Sequence, residues 1–242
     1  MIKNKALLGI LFSISSLFSM YSYTAEKNND IENFKTKSAR VVGYFSSDNF
    51  SKMGSIRFCK LTHLNLSFAN PDAAGNLYFE GDIDAVIKYA RTINPNIIIC
   101  ISVAGGVISA EQAAKWSSLI DKPENRPQFI QNIVNFVELH HLDGVDVDLE
   151  WDAVTVGYSD FVIELKNALH SKSKLITAAL PNNTRFDNIN SEALNAFDFI
   201  NIMAYDSTGP WSQEKPGQHS SYEDAKQGLI SGINFKKFQV QK

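Results

Sequence analysis

The ten residues Leu142-Asp143-Gly144-Val145-Asp146-Val147-Asp148-Leu149-Glu150-Trp151 restrict the fold of this chain more than any other segment. From Val145 to Glu150, apolar and acidic residues alternate strictly. In a strand, successive side chains point to opposite faces, so Val145, Val147 and Leu149 share one side and Asp146, Asp148 and Glu150 the other. The aliphatic side can pack under helices. The acidic side is out of place in an ordinary core, because unpaired carboxylates are costly to bury. Like charges this close cannot all ionise cheaply, so at least one carboxyl is expected to keep its proton at neutral pH. Glu150, nearest the C-terminal end of the strand, is the candidate proton donor. Spacing alone also admits an oxygen-rich cation site or an exposed strand face with no role. The EF-hand pattern does not fit, because no glycine stands where its loop needs one.

The rest of the chain supplies a setting for this strand. Six short apolar runs are expected as strands: Val41–Phe45, Leu64–Phe68, Ile97–Val103, Val145–Trp151, Leu175–Leu180 and Phe199–Ala204. Between them, apolar residues recur at helical spacing over Ile83–Ile93, Pro127–Leu139 and Tyr158–Leu169, and Ser191–Ala196 is a short helix. Trp116 also falls on a helix and is expected to pack. Alternating strands and helices predict an α/β fold with a parallel sheet, of the (β/α)8 TIM-barrel type. In a barrel the three carboxyls would line the interior and climb toward the C-terminal mouth, where barrel active sites lie. Paired carboxyls of separated acidity are the equipment of glycoside hydrolysis. Phe199-Ile200-Asn201-Ile202-Met203-Ala204-Tyr205-Asp206 brings a phenol and a further carboxylate to the same end.

Composition removes other classes. The formal charge of −3 offers no basic excess for nucleic acid or anionic membranes. Lys3 and Lys5 precede the uncharged run Ala6–Tyr23, which reads as a secretory signal peptide cut after Ala25. Five serines in that run argue against a membrane anchor. The expected organisation is therefore 1–25 signal peptide, 26–39 polar leader and 40–242 catalytic-type domain. The product would be secreted or periplasmic, with no membrane attachment after cleavage. Cys59 and Cys100 make no disulfide framework, and the chain has no Cys or His spacing for a metal. His63, His140, His141 and His219 are read as structural or solvated.

The motifs together resemble the family-18 glycoside hydrolases, the chitinases and their relatives. The four-carboxyl signature of strand four stands complete as Asp143, Asp146, Asp148 and Glu150, with Gly144 inside it. Met203, Ala204, Tyr205 and Asp206 match the strand-six signature. Val-Val-Gly-Tyr-Phe, with Tyr44 at a sugar-site aromatic, is similar to the first strand, and Thr62-His63-Leu64 with Phe68 to the second. Ser102-Val103-Ala104-Gly105-Gly106 is similar to the Ser-x-Gly-Gly third strand, with its serine displaced by one residue. Gly209-Pro210-Trp211 resembles the segment after strand six, with Thr208 where a histidine is common.

The resemblance implies hydrolysis of β-1,4-linked N-acetylglucosamine, in chitin or its oligosaccharides, by retaining, substrate-assisted catalysis without cofactor or metal. Glu150 would protonate the leaving oxygen, and Asp148 would hold the acetamido N–H. Asp146 would share a proton with Asp148. Tyr205 would hold the acetamido carbonyl. Tyr44, Phe68, Trp151, Met203, Asp206 and Trp211 would contact substrate. Asp143, Gly144, Gly105 and Gly106 would be structural. A lectin-like chitin-binding relative and an endo-β-N-acetylglucosaminidase acting on N-glycans are the alternatives. About six βα units are present where the whole barrel has eight. The expectation is thus a barrel incomplete before strands seven and eight, with activity impaired or with a second chain supplying the missing strands.

Overall fold

The computed structural model describes residues 39–181 and 188–228. The chain divides into two units, Met1–Arg40 and Val41–Lys242. The predicted signal peptide and nearly all of the polar leader lie outside the described residues. So do the end of the predicted helix at 222–230, of which 222–228 is helical, and the segment 233–242, read as the start of a seventh strand.

The second unit is built on a parallel sheet. Its strands are β1 (Val42–Ser46), β2 (His63–Pro71), β4 (Ile98–Ala104), β5 (Gly144–Asp148), β6 (Leu175–Pro181) and β7 (Phe199–Met203). They lie in the order β1-β2-β4-β5-β6-β7, and a short β3 (Leu77–Phe79) pairs antiparallel with β2. Five helices with both ends among the described residues accompany them: α1 (Ile83–Ile93), α2 (Ala110–Ile120), α3 (Arg126–Leu139), α4 (Tyr158–His170) and α5 (Ser191–Ala196). This is an incomplete (β/α)8 wall, as the alternating pattern predicts.

Three details differ from the sequence reading. The hairpin β2–β3 was not foreseen, because Phe68 looked like the end of its strand whereas pairing continues to Pro71. The helix α2 was not delimited. Its N-cap is Ser109, whose Oγ accepts the Gln112 N–H at 3.1 Å. The central strand was expected to run to Trp151 but leaves the sheet after Asp148. Its neighbour β4 ends at Ala104, which together with Gly105 has left-handed φ values of 74° and 90°, so no partner strand continues.

The helices form where periodicity and caps agree. Asp82 caps α1 by accepting the Ala85 N–H at 2.9 Å, and the helix buries Ile83, Val86, Ile87 and Ala90. The helix α3 opens with Pro127 in its first turn and buries Phe129, Ile130, Ile133, Val134 and Val137. Between helices and sheet lies the core, where Val145, Val147 and Leu149 are at most 1% exposed. Trp116, Phe129 and Phe161 form a ring cluster with centroids 5.3–6.2 Å apart. The indole N–H of Trp116 donates to Asn70 Oδ1 at 2.8 Å, and Asn70 Nδ2 donates to the Ala104 carbonyl at 3.1 Å. That relay ties α2 to β2 and to the turning end of β4.

At the N-terminal ends of the strands, side chains satisfy amides that the sheet leaves open. Asp143, just before β5, accepts the Ile99 N–H at 2.8 Å and pairs with Arg91 at 3.0 Å. Asp198, just before β7, accepts the Ile176 N–H at 2.9 Å. Thr62, just before β2, accepts the Val41 N–H at 2.7 Å. The sheet curls until its two outer strands meet through interior side chains. Asn201 Nδ2 on β7 donates to the Tyr44 hydroxyl on β1 at 3.1 Å, and the rings of His63 and Phe199 meet edge to face at 5.0 Å.

The Trp116–Asn70 relay generates a prediction. Trp116→Phe keeps the ring cluster but leaves Asn70 Oδ1 without its donor, which is expected to cost about 1–3 kcal/mol. Urea unfolding would measure it; an unchanged midpoint would show the relay to be idle.

Candidate active site

The interior face of β5 carries Asp146, which is 0% exposed, and Asp148, which is 5% exposed. Side chains from three other strands converge on Asp146. Its Oδ2 accepts the Tyr44 hydroxyl of β1 at 2.8 Å and the Ser102 hydroxyl of β4 at 2.9 Å. Its Oδ1 accepts the Thr177 hydroxyl of β6 at 2.6 Å. Burial pushes the Asp146 carboxyl above its ordinary range, and the Thr177, Tyr44 and Ser102 donors pull against that shift. Burial and the Asp146 charge keep the Tyr44 phenol protonated, as a donor must be.

Asp148 stands one step nearer the mouth. Burial first, then the charges of Glu150 and Asp146 and a hydrogen bond with Glu150, push it up to about 8. Its Oδ1 is buried and has no protein partner. Glu150 lies beyond the strand in extended backbone and is half-buried. Burial and the nearby Asp206 charge raise the Glu150 carboxyl above its ordinary range, and the hydrogen bond from Asp148 opposes them. Three hydroxyls occupy the Asp146 oxygens, and Asp148 interacts with Glu150 on its other side.

The loops around the carboxyls are shaped by close contacts. A Cβ on Gly106 would stand 2.5 Å from Glu150 Oε1, and one on Gly105 would stand 2.8 Å from the Phe68 ring. The peptide joining Ser67 to Phe68 is cis. Ser102 of the third strand lies in register with Asp146 and reaches it. The motif reads Ser102-x-Ala104-Gly105, with alanine holding the left-handed position that glycine would occupy without strain. Gly144 packs on the Leu175 backbone at the opposite end of β5, where a Cβ would collide with the carbonyl.

A cavity of about 510 Å³ opens over this face, lined by Tyr44, Ser67, Phe68, Asp148, Ala179 and Tyr205 among others. Tyr205 is half exposed, and burial with the charges of Asp148 and Glu150 keeps its phenol protonated. Met203 ends β7 beside Pro181. Trp151 is 68% exposed and Trp211 64%, one just beyond the Glu150 turn and the other in the loop after β7. Among the described residues no group of three or more His, Cys, Asp or Glu could hold a metal ion, and no helix is long and apolar enough to cross a membrane.

Several contributors were not singled out from sequence. Ser102, Thr177 and Asn201 are polar residues in the inward phase of otherwise apolar strands, and that phase was the signal. His219 is read from sequence as structural or solvated; it is largely exposed, and its Nε2 lies 2.7 Å from Asp206 Oδ1. Its contact comes from a return of the chain that periodicity does not encode. Lys52 and Asn49 line the cavity beyond Ser46 and are joined by a 2.9 Å hydrogen bond.

The raised Asp148 gives a pH prediction with a defined sign. Between an unfolded value near 3.8 and a folded value of about 8, the native state holds a proton that the unfolded chain releases. The stability this proton confers is complete at the acidic end of that window and is lost as pH rises through it. Asp148→Asn is expected to flatten the decline, so its thermal midpoint exceeds that of the wild type by more at pH 9 than at pH 5. Parallel melting curves across that range would contradict the assignment.

Comparison with known proteins matches this geometry. The model of the family "Glycosyl hydrolases family 18" matches residues 40–240. The crystal structure of the GH18 chitinase ChiB from the chitin utilization locus of Flavobacterium johnsoniae is 70% identical, with a TM-score of 0.80 over 84% of this chain and 65% of that one. Chitinase B of Serratia marcescens is 24% identical over 88% of this chain and 47% of its own length. The GH18 chitinase of Cycas revoluta, solved in complex with (GlcNAc)3, shares the fold at 20% identity and a TM-score of 0.70, over 81% of this chain and 65% of that one. The chain thus spans under two thirds of the length of these three relatives. With the family model covering nearly the whole described unit and the four carboxyls in place on one strand and its extension, the chain belongs to glycosyl hydrolase family 18.

Proposed function

We propose that the chain is a chitinase-type glycosidase that cleaves β-1,4-linked N-acetylglucosamine with retention, using the substrate's own acetamido group. The observation that carries this reading is Asp148. It is a buried carboxyl pushed up to about 8 between two others, with one buried oxygen that has no protein partner. Such a group needs a donor, and an acetamido N–H supplies one. Chitooligosaccharide is the substrate class, in keeping with the (GlcNAc)3 bound by the Cycas relative.

The steps balance as follows. Glu150, as the acid, gives its proton to the glycosidic oxygen while the acetamido carbonyl oxygen attacks the anomeric carbon and the glycosidic bond breaks. Asp148 turns from Glu150 toward Asp146, which takes a share of its proton, so that Asp148 accepts the acetamido N–H and offsets the positive charge of the ring that forms. Tyr205 donates to the acetamido oxygen and holds it in line. Asp146, fixed by Tyr44, Ser102 and Thr177, offers Asp148 a negative neighbour against which to turn. Water then attacks the anomeric carbon, and Glu150 takes its proton. The mouth aromatics Trp151 and Trp211 suit pyranose faces. Secretion through an N-terminal signal peptide accords with a polymeric substrate outside the cell.

Two measurements test the reading. Wild type is expected to release fluorophore from a chitotriose substrate, and Glu150→Gln to lower that rate by about a hundred- to ten-thousand-fold. Equal rates from both would sink the proposal, binding without turnover would favour a lectin, and release of N-glycans instead would favour an endo-β-N-acetylglucosaminidase. Gly106→Ala is expected to displace Glu150 and lower kcat with little change in melting temperature. An unaltered kcat would show that Glu150 does not rest over Gly106 in catalysis.

A further inference from the structure

The loop after β7 turns outward at Asp206 and returns at His219. Asp206 is a non-glycine residue with φ of 61°, a conformation that surrounding contacts must maintain. Those contacts come from the returning segment. The Ser207 N–H donates to the His219 carbonyl at 3.0 Å, and the Ser220 hydroxyl donates to the Ala204 carbonyl at 2.6 Å. His219 Nε2 lies 2.7 Å from Asp206 Oδ1. The His219 ring is parallel to Tyr205 with centroids 6.4 Å apart, and Trp211 meets it edge-on at 6.5 Å. One imidazole therefore touches the carboxylate, the phenol and the indole that frame this side of the mouth.

We propose that His219 is a positioning residue of the hydrolytic site and acts through Asp206. By holding that carboxylate over the end of β7, it fixes the charge that faces Glu150 and keeps Tyr205 beneath the loop. The assignment rests on the hydrolase reading above and goes beyond it, because His219 touches no reacting atom there. The pair is solvent-exposed, so its role is orientation and local charge rather than stability.

The test is a double-mutant cycle with chitotetraose, following turnover and also binding through the fluorescence of Trp151 and Trp211. His219→Ala is expected to lower kcat/KM by about ten-fold or more, mainly through kcat, with an unchanged melting temperature. His219→Gln, whose amide can still donate to Asp206, is expected to stay within about three-fold of wild type. In the Asp206→Asn background, His219→Ala is expected to add no further loss. The assignment is overturned by a wild-type rate in His219→Ala, by equal failure of the Gln variant, or by the same loss with and without Asp206. Wild type that neither cleaves nor binds chitotetraose overturns the hydrolase reading itself, and this assignment with it.

Discussion

The site depends on how one buried carboxylate is satisfied. Asp146 has no solvent, and its compensation is three hydroxyl donors, each from a different strand. Hydrogen bonds to a charged acceptor are the stronger kind, and leaving such a group unpaired is costly. Strand order and register follow from this as much as from apolar packing. Ser102 and Thr177 reach Asp146 because β4, β5 and β6 align those three residues in one row. Tyr44 reaches it because the sheet curls.

Stacked above that anchor, the carboxyls differ in environment rather than in kind. Asp146 is closed off by hydroxyls, Asp148 is buried with a free oxygen, and Glu150 is half open beneath the Asp206 charge. In the proposed mechanism this gradient sorts three similar groups into support, proton holder and acid. It arises from depth along one strand and its extension.

Much of this was legible in the chain. Strict alternation from Val145 to Glu150 placed the acidic and aliphatic faces, and helical spacing located α1 and α5 to the residue. The strand-entrance role of Asp143 also has its counterpart in the structure. What escaped notice has physical reasons. Ser102, Thr177 and Asn201 were hidden because a lone polar residue in an apolar strand signals nothing until register is known. The early exit of the central strand reflects backbone turning at Ala104 and Gly105 on its neighbour. His219 reaches the site by a loop return, which no period predicts.

The bond between Asn201 and Tyr44 joins residues 157 positions apart in sequence. Loop closure over such a span is paid for late, after nearer contacts exist. A chain emerging during synthesis can pair β1, β2, β4 and β5 and already carry every carboxyl of the signature. It lacks the last strand that steadies Tyr44, the donor to Asp146, until residue 201 arrives. The geometry of the proposed site is therefore a late property of folding, and the full set of acidic residues on a shorter stretch of this chain does not amount to that site.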